Sequence, residues 1–244
     1  MTHTPRLIDT ATAMPDAERE IHRLLSWLSP TFPVGAYTYS SGLEYAVEAG
    51  LVTDAATLEK WLAGLFRFGT GAVDGAFFCQ AHRAAAQDDR DTLSTCLEWA
   101  DALRPTAELA LESAAQGEAF LKTMLAVWPH AGLEALAAAA AEHGRKPGYA
   151  VAVGASCGYH RLSLGTSLAA YLHAAAANLV SAAVRTVPLG HTDGQRVTAA
   201  LEPVLAGAAK SAKAATIQRL GAATPMADWA SMRHETQQTR LFRS

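Results

Sequence analysis

Cys157 and His160 are the two residues whose types and spacing come closest to a metal site. They stand three positions apart, so a helix would place both on one face. A structural ion needs about four protein ligands, and a cysteine in an apolar helix usually serves as a small core residue. We therefore predict no metal site on this chain, and leave open a weak site shared with another chain.

Other signatures of catalysis or cofactor binding are incomplete. The glycines around residues 69–71 and 154–158 lack the spacing and the lysine of a phosphate-binding loop. Residues 154–158 resemble a nucleophile elbow only superficially, because both the G-x-S-x-G pattern and a preceding strand are missing. We expect no catalytic residue and no cofactor.

Composition and charge limit the classes of partner. The net charge is −3, and the lysines and arginines are scattered, which argues against nucleic-acid binding. The three cysteines form no C-x-x-C pair, so a reducing cytoplasm fits best. Residues 1–20 contain four acidic side chains and no apolar run, so we expect no secretory signal.

One stretch is long enough to cross a membrane. No charged residue stands between Arg161 and Arg185. The stretch is rich in alanine rather than leucine, and it contains several serines as well as His173 and Asn178. We therefore predict a buried core helix and no membrane segment.

Apolar residues recur with a helical period along most of the chain, as in the stripe Ile21, Leu24, Leu25 and Leu28. Thr53 and Thr106 are predicted helix caps, and residue 192 or 193 is a third. Nowhere do β-branched and aromatic residues alternate over strand length. We predict an all-α, single-domain bundle of roughly ten helices spanning residues 1–244, with a flexible N-terminus at 1–15 and a C-terminal tail at 222–244.

Two segments interrupt the helical pattern. Residues 29–44 read SPTFPVGAYTYSSGLE, and their prolines and glycines predict a rigid loop. The alternative is a helix connection whose aromatic residues fill the core. Residues 187–196 read VPLGHTDGQR, where proline and glycine end one helix and capping residues start the next.

These two segments, together with ASMRHETQQTRLF at residues 230–242, resemble the UreF family of urease accessory proteins. The family's N-terminal signature stands at residues 24–44, its PLG-x-TDGQR element at 188–196, and its closing element at 230–242. The three motifs occur in the right order over nearly the whole chain. One departure is His191, which stands where we expect glutamine in most members. This difference leaves open only the role of the glutamine amide, since histidine can also donate and accept hydrogen bonds.

The resemblance implies a cytoplasmic, all-helical homodimer that binds the accessory protein UreD, called UreH in some organisms, and then recruits the GTPase UreG. The assembly would act as a chaperone that delivers nickel to apo-urease. Nickel would pass through it without a tight site on this chain. Whether UreG is restrained or activated, for example by an arginine finger from Arg196 or Arg240, stays open.

The resemblance also suggests three groups of partner-binding residues. The tail would dock to UreD, with Arg240 making ion pairs or carbonyl contacts and two apolar anchors beside it. The loop would form a second partner surface, and the start of the helix after residue 190 a third that faces UreG or the second protomer. The residues are Arg233, His234, Glu235, Arg240, Leu241 and Phe242 in the tail, Tyr37, Tyr39 and Glu44 in the loop, and Gln195 and Arg196 in the third group.

Two other functions fit the same composition. A helical lyase or transferase would need a pocket under the Tyr37 loop that joins two or more titratable groups with perturbed pKa values. A helical adaptor with unrelated partners would share the exposed tail and the low charge, and only the three motifs argue against it.

Overall fold

This computed structural model describes residues 14–244, and that part of the chain contains eleven α-helices joined by turns and loops. No strand occurs in that part, which confirms the predicted all-α, single-domain bundle. The predicted flexible N-terminus lies outside the described residues, except for its last two positions. The helices are α1 Asp16–Trp27, α2 Leu43–Glu48, α3 Ala55–Phe68, α4 Thr70–Gln87, α5 Arg90–Ala102, α6 Ala107–Val127, α7 Ala131–Glu142, α8 Tyr149–Tyr159, α9 Leu164–Thr186, α10 His191–Ala214 and α11 Pro225–His234, with 3-10 turns at Ala36–Thr38 and Ile217–Arg219.

Two predicted helix caps are displaced by one to three residues. α3 is capped by Asp54 and not by Thr53, because the Asp54 carboxylate accepts from the Thr57 amide at 2.8 Å and the Thr57 hydroxyl accepts from the Asp54 amide at 3.0 Å. α10 is capped by Gly190, and Asp193 lies inside the first turn, where its carboxylate accepts from the Gly190 amide at 3.3 Å. In both helices the acidic side chain still satisfies an amide that the helix leaves free.

The centre of the bundle is the contact between α4 and α8. Every residue of α8 after Tyr149 is buried. Two glycines let its backbone approach α4: a Cβ at Gly154 would lie 2.5 Å from the carbonyl oxygen of Phe78, and one at Gly158 would lie 2.3 Å from that of His82. Any larger side chain at these positions would force the two helices apart.

α9 contains most of the uncharged stretch between Arg161 and Arg185, which is long enough to cross a membrane. By length and composition alone it could span a membrane, and half of its most apolar window is buried inside the bundle. Its buried face carries Leu168, Tyr171, Leu172 and Leu179. α9 packs against α4 and α10. This placement agrees with the predicted core helix.

Gly154→Ala should destabilise the fold, because the added methyl group meets the α4 backbone. We expect a loss of about 1–3 kcal/mol in the free energy of unfolding, the usual effect of overpacking a core. Gly207→Ala is the matched control, since Gly207 stands inside α10 with open space around it. That change should stabilise the protein by about 0.5–1 kcal/mol. Urea unfolding compares the two, and similar shifts of the same sign would contradict this packing.

Candidate functional site

The C-terminal segment folds back onto the loop that precedes α2. After α11 ends at His234, residues 235–244 return along α2 and α6. The Arg243 amide donates to the Thr38 carbonyl at 2.8 Å, and the Ser40 amide donates to the Ser244 carbonyl at 2.7 Å. Two of the three sequence motifs, which stand at opposite ends of the chain, therefore form one structural unit.

Glu44 holds the segment in place. This side chain lies in the first turn of α2 and its residue is 9% exposed. Its carboxylate accepts from the Leu241 amide at 2.6 Å and from the Phe242 amide at 3.0 Å. Hydrogen bonds from backbone amides to an ionised carboxylate are stronger than those between neutral groups. The buried Glu44 carboxylate and the two backbone amides, which are otherwise unpaired, thus satisfy one another's hydrogen bonds.

His234 connects Glu44 to a second carboxylate. Its ring is fully buried, with Nε2 lying 3.1 Å from Glu44 Oε2 and Nδ1 lying 2.8 Å from Glu108 Oε2. Carboxylates only accept hydrogen bonds, so both contacts form together when the imidazole carries both ring protons. Arg240 Nη1 also donates to Glu108 Oε1 at 2.8 Å. We call Glu44, Glu108, His234 and Arg240 the tail clamp.

A further carboxylate lies deeper under the segment. Glu112 accepts from the Ser244 hydroxyl at 2.6 Å, from Gln116 Nε2 at 3.1 Å and from the Ser41 hydroxyl at 3.2 Å. Burial raises the pKa of Glu112, and the hydrogen bonds from the two serines oppose that rise. The last residue of the segment is therefore anchored in the protein interior and not in solvent.

A small polar cavity lies next to Glu112, beneath the loop at Ser41. The Asp74–Arg104 ion pair and Tyr149 line it, and its volume is about 60 Å³. This is the position at which the enzyme alternative expected a pocket with perturbed groups. Ligand sites take roughly 300–1,000 Å³, so this cavity has room for a few water molecules and not for a substrate. The buried charges in it pair with one another and with the tail.

A larger cleft lies elsewhere, between α5 and α7. Its volume is about 380 Å³, and none of its lining residues belongs to the loop. Most of its lining residues are leucines and alanines. This cleft therefore does not supply the pocket that the enzyme alternative predicts under the Tyr37 loop.

The predicted partner-binding residues divide into exposed and buried groups. Four of them are buried: Tyr39, Glu44, His234 and Phe242. Seven are at the surface: Tyr37, Gln195, Arg196, Arg233, Glu235, Arg240 and Leu241. Of the two predicted apolar anchors, Leu241 is 62% exposed and Phe242 only 4%. Only Leu241 can meet a partner without a rearrangement of the segment.

Gln195 and Arg196 stand apart from the loop and tail. They lie in the first turns of α10, where Arg196 pairs with Asp193 at 2.6 Å. Within residues 14–244 neither side chain hydrogen-bonds to the loop or to the tail. The structure therefore joins the first and third motifs directly, whereas the second lies on a separate helix end.

α11 carries an exposed apolar face that was not predicted from the sequence. Met226, Trp229 and Met232 are all exposed, at 51%, 39% and 51%. They recur every third residue, so a short helix presents them on one side, and the Trp229 ring packs edge-on against Tyr45 with centroids 5.3 Å apart. The spacing of these three residues after Pro225 indicates such a face, but we interpreted this region as a polar tail and did not predict a helix there.

The Cys157 and His160 pair shows no sign of metal ligation. Burial raises the pKa of the Cys157 thiol to about 12, so it stays protonated at neutral pH. His160 Nε2 donates to the Trp128 carbonyl at 3.1 Å. Across residues 14–244, no group of three or more His, Cys, Asp or Glu side chains is placed to hold an ion.

Comparison with known proteins points to one family. A family model described as UreF matches residues 52–202. The chain is 47% identical over 248 residues to the urease accessory protein UreF of Rhodopseudomonas palustris strain BisB5, with 99% of both chains covered. It is 48% identical over 225 residues to the protein of the same name from Bradyrhizobium diazoefficiens, with 92% of this chain and 91% of the relative covered.

Glu44→Gln should release the tail, because an amide NH2 group replaces one of the two oxygens that accept from Leu241, Phe242 and His234. A hydrogen bond to a charged group stabilises by about 1.5–3 kcal/mol, so we expect local opening to increase by about tenfold or more. Trypsin cleavage after Arg240, followed by mass spectrometry, measures it. Glu59→Gln on α3 is the control, since Glu59 is exposed and no hydrogen bond or ion pair among the described residues joins it to the tail. Equal cleavage of both variants would show that the clamp does not hold the tail.

Proposed function

The chain belongs to the UreF family of urease accessory proteins, and on this premise we propose that it is a scaffold that binds UreD (UreH), recruits the GTPase UreG and supports nickel insertion into apo-urease. Members of this family are maturation factors and not enzymes, so the chain has no catalytic role of its own. The observation that carries the docking proposal is the ordered tail beside an exposed apolar face on α11.

The α11 face and the tail make a suitable surface for UreD. Met226, Trp229, Met232 and Leu241 expose large apolar side chains on neighbouring segments. Tryptophan and methionine are enriched in protein interfaces, and tryptophan is one of the residues that most often dominate binding energy. Because the surface is formed by one helix and a clamped segment, we propose that all four side chains contact UreD.

The tail clamp supports this surface from below. Glu44 and His234 hold the segment that carries Leu241, and Arg240 joins the clamp while remaining partly exposed. Association costs free energy for each flexible side chain and segment that must be ordered, so a segment already ordered binds with a smaller loss. In this proposal the buried residues act on partner binding through Leu241, and Arg240 acts directly as well.

We propose that UreG binds the predicted surface residues that UreD does not cover. Gln195 and Arg196 at the start of α10 and the exposed phenol of Tyr37 offer hydrogen-bonding groups there. We infer that the working unit is a homodimer in the cytoplasm. The homodimer would present each of these surfaces twice.

Nickel is the cargo of this assembly and not a resident ion of the chain. A nickel site needs several nitrogen, sulfur or oxygen ligands directed at one point, and the described residues offer no group of three or more histidine, cysteine or acidic side chains so arranged. We propose that the ion passes between partners. Tight, stoichiometric nickel binding by the isolated chain, measured by equilibrium dialysis, would contradict this route.

Met232→Lys tests the α11 surface, because it places a charge on an exposed apolar position without touching the core. We expect the Kd for UreD to rise by about 30-fold or more, as at an interface hot spot worth roughly 2 kcal/mol. Arg240→Ala should also weaken the complex, through loss of the Glu108 contact. Light scattering coupled to size-exclusion chromatography detects the complex, and calorimetry gives the Kd.

Leu25→Lys is the matched control, since Leu25 is 71% exposed on α1, whose Trp27 packs against Trp128 and His160 and not against α11 or the tail. It should bind UreD like the wild type. If Met232→Lys also binds normally, α11 is not the docking surface. If the wild type itself ignores UreD, the scaffold proposal fails.

A further inference from the structure

Arg185, on the last turn of α9, contacts three separate parts of the chain. Its Nε donates to the Ser181 carbonyl at 3.1 Å, and its Nη2 donates to the Tyr37 carbonyl at 2.9 Å. The guanidinium carbon lies 4.4 Å from the centroid of the Phe242 ring. The loop and the tail therefore meet at one side chain, which belongs to neither of them.

The same turn of α9 packs tightly against the start of α10. A Cβ at Gly194 would lie 2.9 Å from Val184 Cγ2 and 3.3 Å from Val180 Cγ1. Val184 immediately precedes Arg185, and Gly194 immediately precedes Gln195. Because packed interiors transmit displacements and do not absorb them, a shift of the last turn of α9 moves the first turn of α10.

We propose that Arg185 is a positioning residue that couples the tail to the first turn of α10, so that a partner bound to the tail changes how Gln195 and Arg196 are presented. The physical route is Phe242, Arg185, the adjoining Val184, and then Gly194. The effect of a bound partner rests on the proposed function, whereas the coupling between the tail and α10 is a property of the free chain.

An arginine is required at this position for a chemical reason. The guanidinium lies over the ring of Phe242 and at the same time donates from two different nitrogens, to Ser181 and to Tyr37. A lysine ammonium keeps the charge but lacks the rigid fork of donors that reaches both carbonyls beside the ring. Arg185→Lys therefore removes the linkage while leaving charge and approximate length unchanged.

Amide hydrogen exchange in the free chain tests the coupling without any partner. In Arg185→Lys we expect exchange to rise by about fivefold, the lower end of typical coupling, at the tail amide of Arg243 and at the amides of Asp193 and Gly194. Arg145→Lys is the control: the Arg145 guanidinium donates to Asp101 of α5 at 2.6 Å and makes no hydrogen bond to α9, α10 or the tail among the described residues. It should change neither group. Faster exchange at Arg243 alone would overturn the coupling, because Arg185 would then only support the tail.

Phe242→Leu provides a second, independent variant, since it removes the aromatic face and keeps an apolar side chain. We expect it to raise exchange at residues 193 and 194 as Arg185→Lys does. The double variant should add little, because both changes remove the same contact. Fully additive effects would mean that the two residues act separately, and would overturn the proposal.

UreD binding completes the test. In the wild type, adding UreD should slow exchange at residues 191–197; in Arg185→Lys, UreD should still bind but this slowing should be lost. Equal slowing in both proteins would overturn the coupling. If the wild type does not bind UreD, the proposed function fails, and the free-chain exchange alone then decides the role of Arg185.

Discussion

A carboxylate that is buried away from water needs hydrogen-bonding partners. For Glu44 the C-terminal segment supplies these partners, and this pairing holds the segment in an ordered position. Its two oxygens take two backbone amides of the segment and one nitrogen of His234. Loss of these partners would leave a buried charge and unpaired amides at once. The shape of the surface around Leu241 thus depends on an interaction that is buried inside the chain.

Close backbone contacts allow this arrangement to form. Gly42 has a φ of 78°, and a Cβ there would lie 2.8 Å from the Cα of Ser231 in α11. Only glycine meets both demands with little strain. It sets α2, and with it Glu44, directly against α11 and His234. The same means, glycine at a helix contact, joins α8 to α4 in the core and α10 to α9 beside Arg185.

The helical architecture could be predicted because apolar periodicity is a local property. α1, α3 and the core character of α9 follow from stripes within a single helix, whereas the cap of α3 differs by one residue because Thr57 forms a capping box with Asp54. The motifs also pointed to the tail. They could not show that Phe242 faces inward, because Glu44 and the amides it binds are 197 and 198 positions apart.

NMR order parameters of the backbone amides of residues 238–243 report whether the tail is ordered in the free protein. The tail clamp predicts values of about 0.85, like those of a rigid backbone. Values below about 0.6 would mean that the segment is flexible on the picosecond-to-nanosecond timescale. That result would contradict a surface formed before any partner arrives.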